Sequence, residues 1–133
     1  MTANLRVPGP TPCPEEVLQA SSKPMVNHRG PEFRDVLLRL TRNFQTLFQT
    51  SNDLLILTSS GTGALEAAVV NTMSPGDKIL GITVGVFGDR FIQIARAYGA
   101  DVEELRAPHG KGVDPEDVRK ALKANPAIST VII

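Results

Sequence analysis

The chain has 133 residues with 14 basic and 14 acidic side chains, and a net charge of zero gives no electrostatic reason to expect nucleic acid or an anionic membrane as a partner. Hydrophobic residues make up 41% and charged residues 21%, and the single cysteine, Cys13, excludes an internal disulfide framework. No run approaches the roughly 18 to 20 apolar residues of a membrane span. We therefore expect a soluble, cytoplasmic protein without a metal site.

The first segment, residues 1–30, is predicted to be an arm followed by a short helix. Its prolines at positions 8, 10, 12 and 14 favour an extended, irregular backbone. A short helix then begins after Pro14 and reaches about Ala20. Pro31 opens a long helix whose apolar stripe we expect to be core, because its members recur at i, i+3, i+4 and i+7: Phe33, Val36, Leu37, Leu40, Phe44, Leu47 and Phe48.

Beyond residue 53, short apolar runs alternate with helical segments. The predicted strands are residues 54–58, 78–84, 102–105 and 128–133. The predicted helices are residues 64–73, 89–98 and 115–124, the last with Asp114 as its cap. This alternation predicts an α/β fold of right-handed β-α-β units with a mostly parallel sheet. Because the sequence stops within a β-branched run, we expect it to be a fragment of a longer protein.

The turn at residues 59–63, Ser-Ser-Gly-Thr-Gly, is the candidate for chemistry. Ligands of open α/β sheets bind beyond the carboxyl ends of the strands, and the free N–H groups of a helix N-terminus favour an anion. Neither the Walker A pattern nor the G-x-G-x-x-G pattern is present. Taken alone, the segment is equally well explained as a tight turn with a serine cap.

Four segments of the chain, including this turn, match the motifs of one enzyme family in the same order along the sequence. Residues 58–71, TSSGTGALEAAVVN, resemble the phosphate-binding segment of alanine–glyoxylate and serine–pyruvate aminotransferases. Residues 85–90, GVFGDR, look like the N-G-x-[FW]-G-x-R motif of the same class V aminotransferase family. Upstream, residues 8–12 (PGPTP) and 27–33 (NHRGPEF) resemble its P-G-P-x-x-x-P arm and H-R-[ST]-x-E-F signature. The similarity extends over essentially the whole chain.

The resemblance implies a pyridoxal 5'-phosphate (PLP) enzyme of fold type I. Residues 31–133 would form the N-terminal, incomplete part of its three-layer α/β/α large domain. Ser60, Gly61 and Thr62 would bind the cofactor phosphate, and Phe87 would stack on the pyridine ring.

The resemblance also implies a substrate side formed by Pro8, Gly9 and His28. The Schiff-base lysine and the aspartate on the pyridine nitrogen would follow Ile133, so this chain would contain no catalytic residue and would be inactive alone. Two departures from the family motifs, Gly30 and Gly85, leave the choice of substrate open.

The parent enzyme would transfer an amino group from an alanine-like or serine-like amino acid to a glyoxylate-like or pyruvate-like 2-oxo acid. It would be a homodimer. A cysteine desulfurase-like PLP enzyme is the alternative within this fold, although Thr62 and Phe87 stand where those enzymes commonly have histidine. A non-catalytic phosphate-binding module, or a structural fragment that self-associates through a sheet edge, is the alternative outside it.

Single residues have simpler explanations that the structure can test. Phe87 could be a core or hydrophobic-staple residue, and His28 a polar loop residue. We expect Arg90 to form an ion pair on a helix surface. Glu66 could equally be buried and paired or exposed to solvent, and Cys13 is expected to have no catalytic role.

Overall fold

A computed structural model describes residues 7–133 and confirms the α/β fold class. Its helices are α1 (Glu15–Ser21), α2 (Pro31–Phe48), α3 (Gly61–Thr72), α4 (Val86–Ala97) and α5 (Pro115–Ala124). Its strands are β1 (Lys78–Thr83), β2 (Asp101–Arg106) and β3 (Thr130–Ile132). The chain divides into two compact units, one ending at Leu55 and the other comprising Ile56–Ile133. Within the described range, no helix combines the length and apolarity needed to cross a bilayer.

The first unit contains the two predicted helices, α1 and α2. Helix α2 begins at Pro31, as predicted, and Gln49 ends it in the left-handed conformation with a φ of 52°. The expectation that its apolar stripe is core is wrong here, because α2 has no buried residue and Leu47 is 72% exposed. The α2 sequence is amphipathic, but periodicity shows only which face is apolar and not what covers it.

The second unit is built on a parallel three-stranded sheet with the order β2-β1-β3. The central strand β1 pairs with both neighbours, so Ile79 lies opposite Val102 on one side and Thr130 on the other. Every residue of β1 after Lys78 is buried, which explains its continuous apolar sequence. The parallel arrangement confirms the sequence prediction.

The core of this unit is formed where α3 and α4 pack against the sheet. Its buried side chains come from α3, β1, α4 and β3: Val69, Ile79, Ile92, Ala95 and Ile132. Gly81 makes the close approach of α4 possible, because a Cβ there would lie 2.5 Å from Ile92 Cγ1 and 2.9 Å from Val102 Cγ1. The β-α-β connection from β1 through α4 to β2 therefore depends on a residue without a side chain.

The largest differences from the sequence predictions concern one strand and the starts of two helices. Residues 54–58 form no strand, and Leu55 is 85% exposed, because an extended segment becomes a strand only when a neighbour pairs with its backbone. Helix α3 begins at Gly61 rather than residue 64, so both glycines of the turn lie in its first turn. Helix α4 begins at Val86 rather than residue 89, so Phe87 is helical.

Candidate functional site

A serine cap and two glycines form the N-terminus of α3. The Ser60 hydroxyl accepts a hydrogen bond from the Gly63 N–H at 3.3 Å. A Cβ at Gly63 would lie 2.0 Å from Ser59 Oγ, so a side chain there would displace the Ser59 hydroxyl, whereas the space around Gly61 is open for 4 Å. The N–H groups of Gly61 and Thr62 precede the first intrahelical hydrogen bond and are free to bind a ligand.

A hydrogen bond connects this helix end to the one that follows β1. Arg90, on α4, donates from Nη1 to Thr62 Oγ1 at 3.1 Å. Because α4 begins just beyond the last residue of β1, the contact brings Thr62 to the carboxyl end of the central strand. The predicted surface ion pair of Arg90 is wrong, since within residues 7–133 its guanidinium contacts a hydroxyl and no carboxylate.

A second network fixes the turn between β1 and α4. The hydroxyl of Thr83, which is fully buried, lies 2.7 Å from Asp89 Oδ1 and accepts a hydrogen bond from the Gly85 N–H at 3.3 Å. Asp89 also accepts from Arg106 Nη2 at 2.8 Å. The Thr83 hydroxyl, followed by the Arg106 guanidinium, lowers the pKa of the Asp89 carboxyl. Sequence reasoning did not identify this network, because Thr83 and Arg106 belong to separate strands.

Phe87 lies in the first turn of α4 with 64% of its surface exposed. It is therefore not a core residue, and that simpler explanation is wrong. An exposed aromatic ring of this kind has a large apolar face available for a planar ligand.

The substrate-side candidates all lie in the first unit and are exposed: Pro8, Gly9 and His28. The Gly9–Pro10 peptide is cis. His28 lies in a turn in which Asn27 Oδ1 accepts from the Arg29 N–H at 3.0 Å and Asn27 O accepts from the Gly30 N–H at 2.9 Å.

Two further polar residues, Glu66 and Lys78, form exposed hydrogen bonds in the second unit. Glu66 is exposed on α3 and accepts a hydrogen bond from the Tyr98 hydroxyl, which raises the pKa of Tyr98. Lys78 lies at the amino end of β1, 2.6 Å from Asp101, and this hydrogen bond raises the pKa of the lysine.

Cys13 is an exposed free thiol. In the part of the chain that the structure describes, no three His, Cys, Asp or Glu side chains are grouped to hold a metal ion.

Taken together, the α3 N-terminus has the donors that a phosphate group requires. Two backbone N–H groups, the Thr62 hydroxyl and a guanidinium face the same helix end, where the helix dipole adds a partial positive charge. The open space beside Gly61 allows a ligand to approach the backbone. These residues fit a phosphate-bearing cofactor.

The chain is similar in sequence to several known proteins. No family model matches it. It is 43% identical over 131 residues to the soluble hydrogenase 42 kDa subunit of Anabaena cylindrica, covering 97% of the chain and 34% of that protein. It is 35% identical over 120 residues to the L-aspartate–glyoxylate aminotransferase of Paracoccus denitrificans, covering 90% of the chain and 30% of that protein.

The fold is likewise that of a known enzyme structure. The alanine–glyoxylate aminotransferase of Nostoc sp. matches with a TM-score of 0.80 and 32% identity, covering 93% of this chain and 35% of that structure. The chain thus spans about a third of the length of the relatives it matches. That third is their N-terminal part.

Proposed function

We propose, since this chain belongs to the class V aminotransferase family, that it provides the phosphate-binding end of the PLP site in an aminotransferase. The observation that carries the proposal is the α3 N-terminus, where free backbone N–H groups and the Thr62 hydroxyl meet Arg90 beyond the carboxyl end of β1. Enzymes of this family depend on PLP in general. The cofactor phosphate would bind at Ser60, Gly61 and Thr62.

The remaining site residues extend this proposal. Bound PLP supplies an electron sink for the α-carbon of an amino acid, which is the chemistry that exchanges amino groups. Phe87 would hold the pyridine ring by stacking, and its 64% exposure supports this role. Pro8, Gly9 and His28 would face the substrate, which the similarity of residues 8–12 and 27–33 to family motifs supports.

The proposed reaction is amino-group transfer from a small amino acid to a 2-oxo acid. Both aminotransferase relatives described above are named as glyoxylate aminotransferases, but they differ in the amino donor, alanine or L-aspartate. We therefore propose glyoxylate as the acceptor, with pyruvate next, and an alanine-like or serine-like donor. The Schiff-base lysine would lie beyond Ile133 in a longer polypeptide, so residues 1–133 alone would not transaminate.

A homodimer and a cytoplasmic location complete the proposal. The dimer rests on the family resemblance. The single cysteine and its exposure as a free thiol support a reducing compartment.

The hydrogenase name of the Anabaena relative belongs to that protein. The phosphate-type donors at α3 favour the aminotransferase instead.

Activity of the complete protein, purified with PLP, is the direct test. We expect amino transfer to glyoxylate from alanine, serine or aspartate, measured as glycine formation. A protein that retains PLP but desulfurates cysteine instead would support the cysteine desulfurase alternative. A protein that binds phosphate but neither PLP nor amino acids would support a non-catalytic module.

Phe87→Ala tests the site itself, with Val86→Ala as a matched control. The two side chains are neighbours in the first turn of α4 and are 64% and 69% exposed, so neither truncation should alter folding. We expect Phe87→Ala to weaken PLP retention and Val86→Ala to leave it unchanged. Equal PLP affinity in the two variants would contradict the stacking role.

A further inference from the structure

Arg90 differs from the other arginines of its neighbourhood in what it contacts. Arg96 pairs with Glu104 at 3.2 Å, and Arg106 pairs with Asp89 and Glu104, each at 2.8 Å. Within residues 7–133, Arg90 instead donates only to the hydroxyl of Thr62. Its positive charge is therefore not neutralised by a paired carboxylate in the described structure.

The neighbouring carboxylate, Asp89, pairs with other groups. Thr83 and Arg106 both bind Asp89 Oδ1, at 2.7 and 2.8 Å. Two adjacent residues of α4 thus bind different neighbours: the Asp89 carboxylate contacts residues of β1 and β2, and the Arg90 guanidinium contacts α3. An anion that binds at the N-terminus of α3 consequently meets Arg90 without competition from Asp89.

The direction of the hydrogen bond determines what the Thr62 hydroxyl can do. A hydroxyl has one proton to donate and two lone pairs to accept with. Arg90 occupies an acceptor position, so the proton remains available to a ligand. Since a guanidinium can only donate, it cannot take that proton as a carboxylate or carbonyl partner would.

We propose that Arg90 is a positioning residue for the cofactor phosphate, which holds the Thr62 side chain so that its hydroxyl donates to the phosphate. The inference rests on the proposed PLP function and adds to it a residue that the phosphate-loop motif does not contain. Arg90 is 28 residues from Thr62 in the sequence, and the packing of α4 beside α3 brings them together.

The test is the dissociation constant of PLP for the complete apoprotein, measured by quenching of protein fluorescence. We expect Arg90→Gln to weaken PLP binding about tenfold, the effect of losing one charge-assisted hydrogen bond. Pyridoxal, which lacks the phosphate, should bind Arg90→Gln and the wild type equally. Arg90→Lys, which keeps a charged donor, should restore part of the PLP affinity.

A double-mutant cycle with Thr62→Val separates positioning from general charge effects. If Arg90 acts through Thr62, the double variant should bind PLP no more weakly than Thr62→Val alone. Arg119→Gln, which removes an exposed arginine from α5, is the charge control and should bind PLP normally. Thermal midpoints of all variants show whether folding is intact, and Arg90→Lys serves as the probe should Arg90→Gln not fold.

Three results would overturn the inference. These are unchanged PLP affinity in Arg90→Gln, an equal loss for PLP and pyridoxal, and additive effects of the two substitutions. Failure of the wild-type protein itself to bind PLP is a separate outcome, which would overturn the proposed function and this inference together.

Discussion

The hydroxyl of Thr83, fully buried at the end of β1, donates to the carboxylate of Asp89 in the first turn of α4 at 2.7 Å. This hydrogen bond closes the turn that carries Gly85 and leads into Phe87 at the start of α4. It joins the central strand of the sheet to α4. The residue after Asp89 on this helix, Arg90, contacts Thr62. The geometry of the candidate site thus depends on a hydroxyl that no ligand would touch.

Replacement of Thr83 by valine should therefore destabilise the protein. Valine has nearly the same shape, so the substitution removes the hydroxyl and leaves Asp89 and the Gly85 N–H without this partner. We expect the free energy of unfolding in urea to fall by about 1–3 kcal/mol. Thr72→Val, which removes an exposed hydroxyl bound to Ala68 O, is the control and should change it by less than about 0.5 kcal/mol. Equal effects at both positions would contradict the prediction.

The lowered pKa of Asp89 predicts an acid limb of stability. A carboxyl with a lower pKa in the folded state than the ordinary 3.8 contributes stability above pH 3.8. That contribution is lost as the pH falls through the folded-state pKa. Urea unfolding of the wild type and Asp89→Asn, measured between pH 2 and 7, should show a stability difference that is constant above about pH 5 and shrinks in acid. A difference independent of pH would argue against an ionised Asp89 in this network.

Gly88 should not tolerate a side chain, whereas Gly61 should. A Cβ at Gly88 would lie 2.8 Å from Thr83 Oγ1 and 2.9 Å from Thr83 Cα, and the backbone atom cannot move aside cheaply. We expect Gly88→Ala to lower the free energy of unfolding by about 1–3 kcal/mol. Gly61→Ala meets nothing within 4 Å and should be neutral or stabilising, since alanine is the better helix former. Calorimetric unfolding midpoints of both variants and the wild type check this prediction. A lower midpoint for Gly61→Ala than for Gly88→Ala would contradict it.

Ile92 is the central contact of α4 with the sheet. It is 1% exposed, and truncation to alanine should leave a cavity that lowers the free energy of unfolding by about 2–5 kcal/mol. Val70→Ala is the control on α3, because Val70 is 46% exposed and its loss should lower stability by less than about 1 kcal/mol. Denaturant midpoints that shift equally for both variants would contradict the central position of Ile92 in the core.

Local patterns in the sequence were sufficient for much of the second unit. The apolar residues of β1 and the alternation with α4 and α5 predicted a parallel sheet, because a strand buried on both faces is mostly apolar. Proline at the first position of α2 and α5, and Asp114 as the cap of α5, located the helix starts. The start of α4 was predicted three residues late, since glycines at 85 and 88 favour a turn when they are considered alone.

Contacts between distant residues could not be predicted in this way. Residues 54–58 have the composition of a strand, yet strand formation requires a pairing neighbour, which composition does not reveal. Arg90 was expected in a surface ion pair, because a helical wheel cannot show that α3 begins beside it.

By itself, the sequence determined the α/β class, most helix and strand positions, and a glycine-containing helix start suited to a phosphate. These features follow from local backbone preferences and the periodicity of apolar residues. Only the tertiary structure decided that Thr62 lies against Arg90 and that Asp89 is bound by Thr83 and Arg106. The physical reason is that these hydrogen bonds join residues 6, 17 and 28 positions apart, so they form only when α3, α4 and the sheet pack together. Hydrophobic burial of Val69, Ile79 and Ile92 determines that packing.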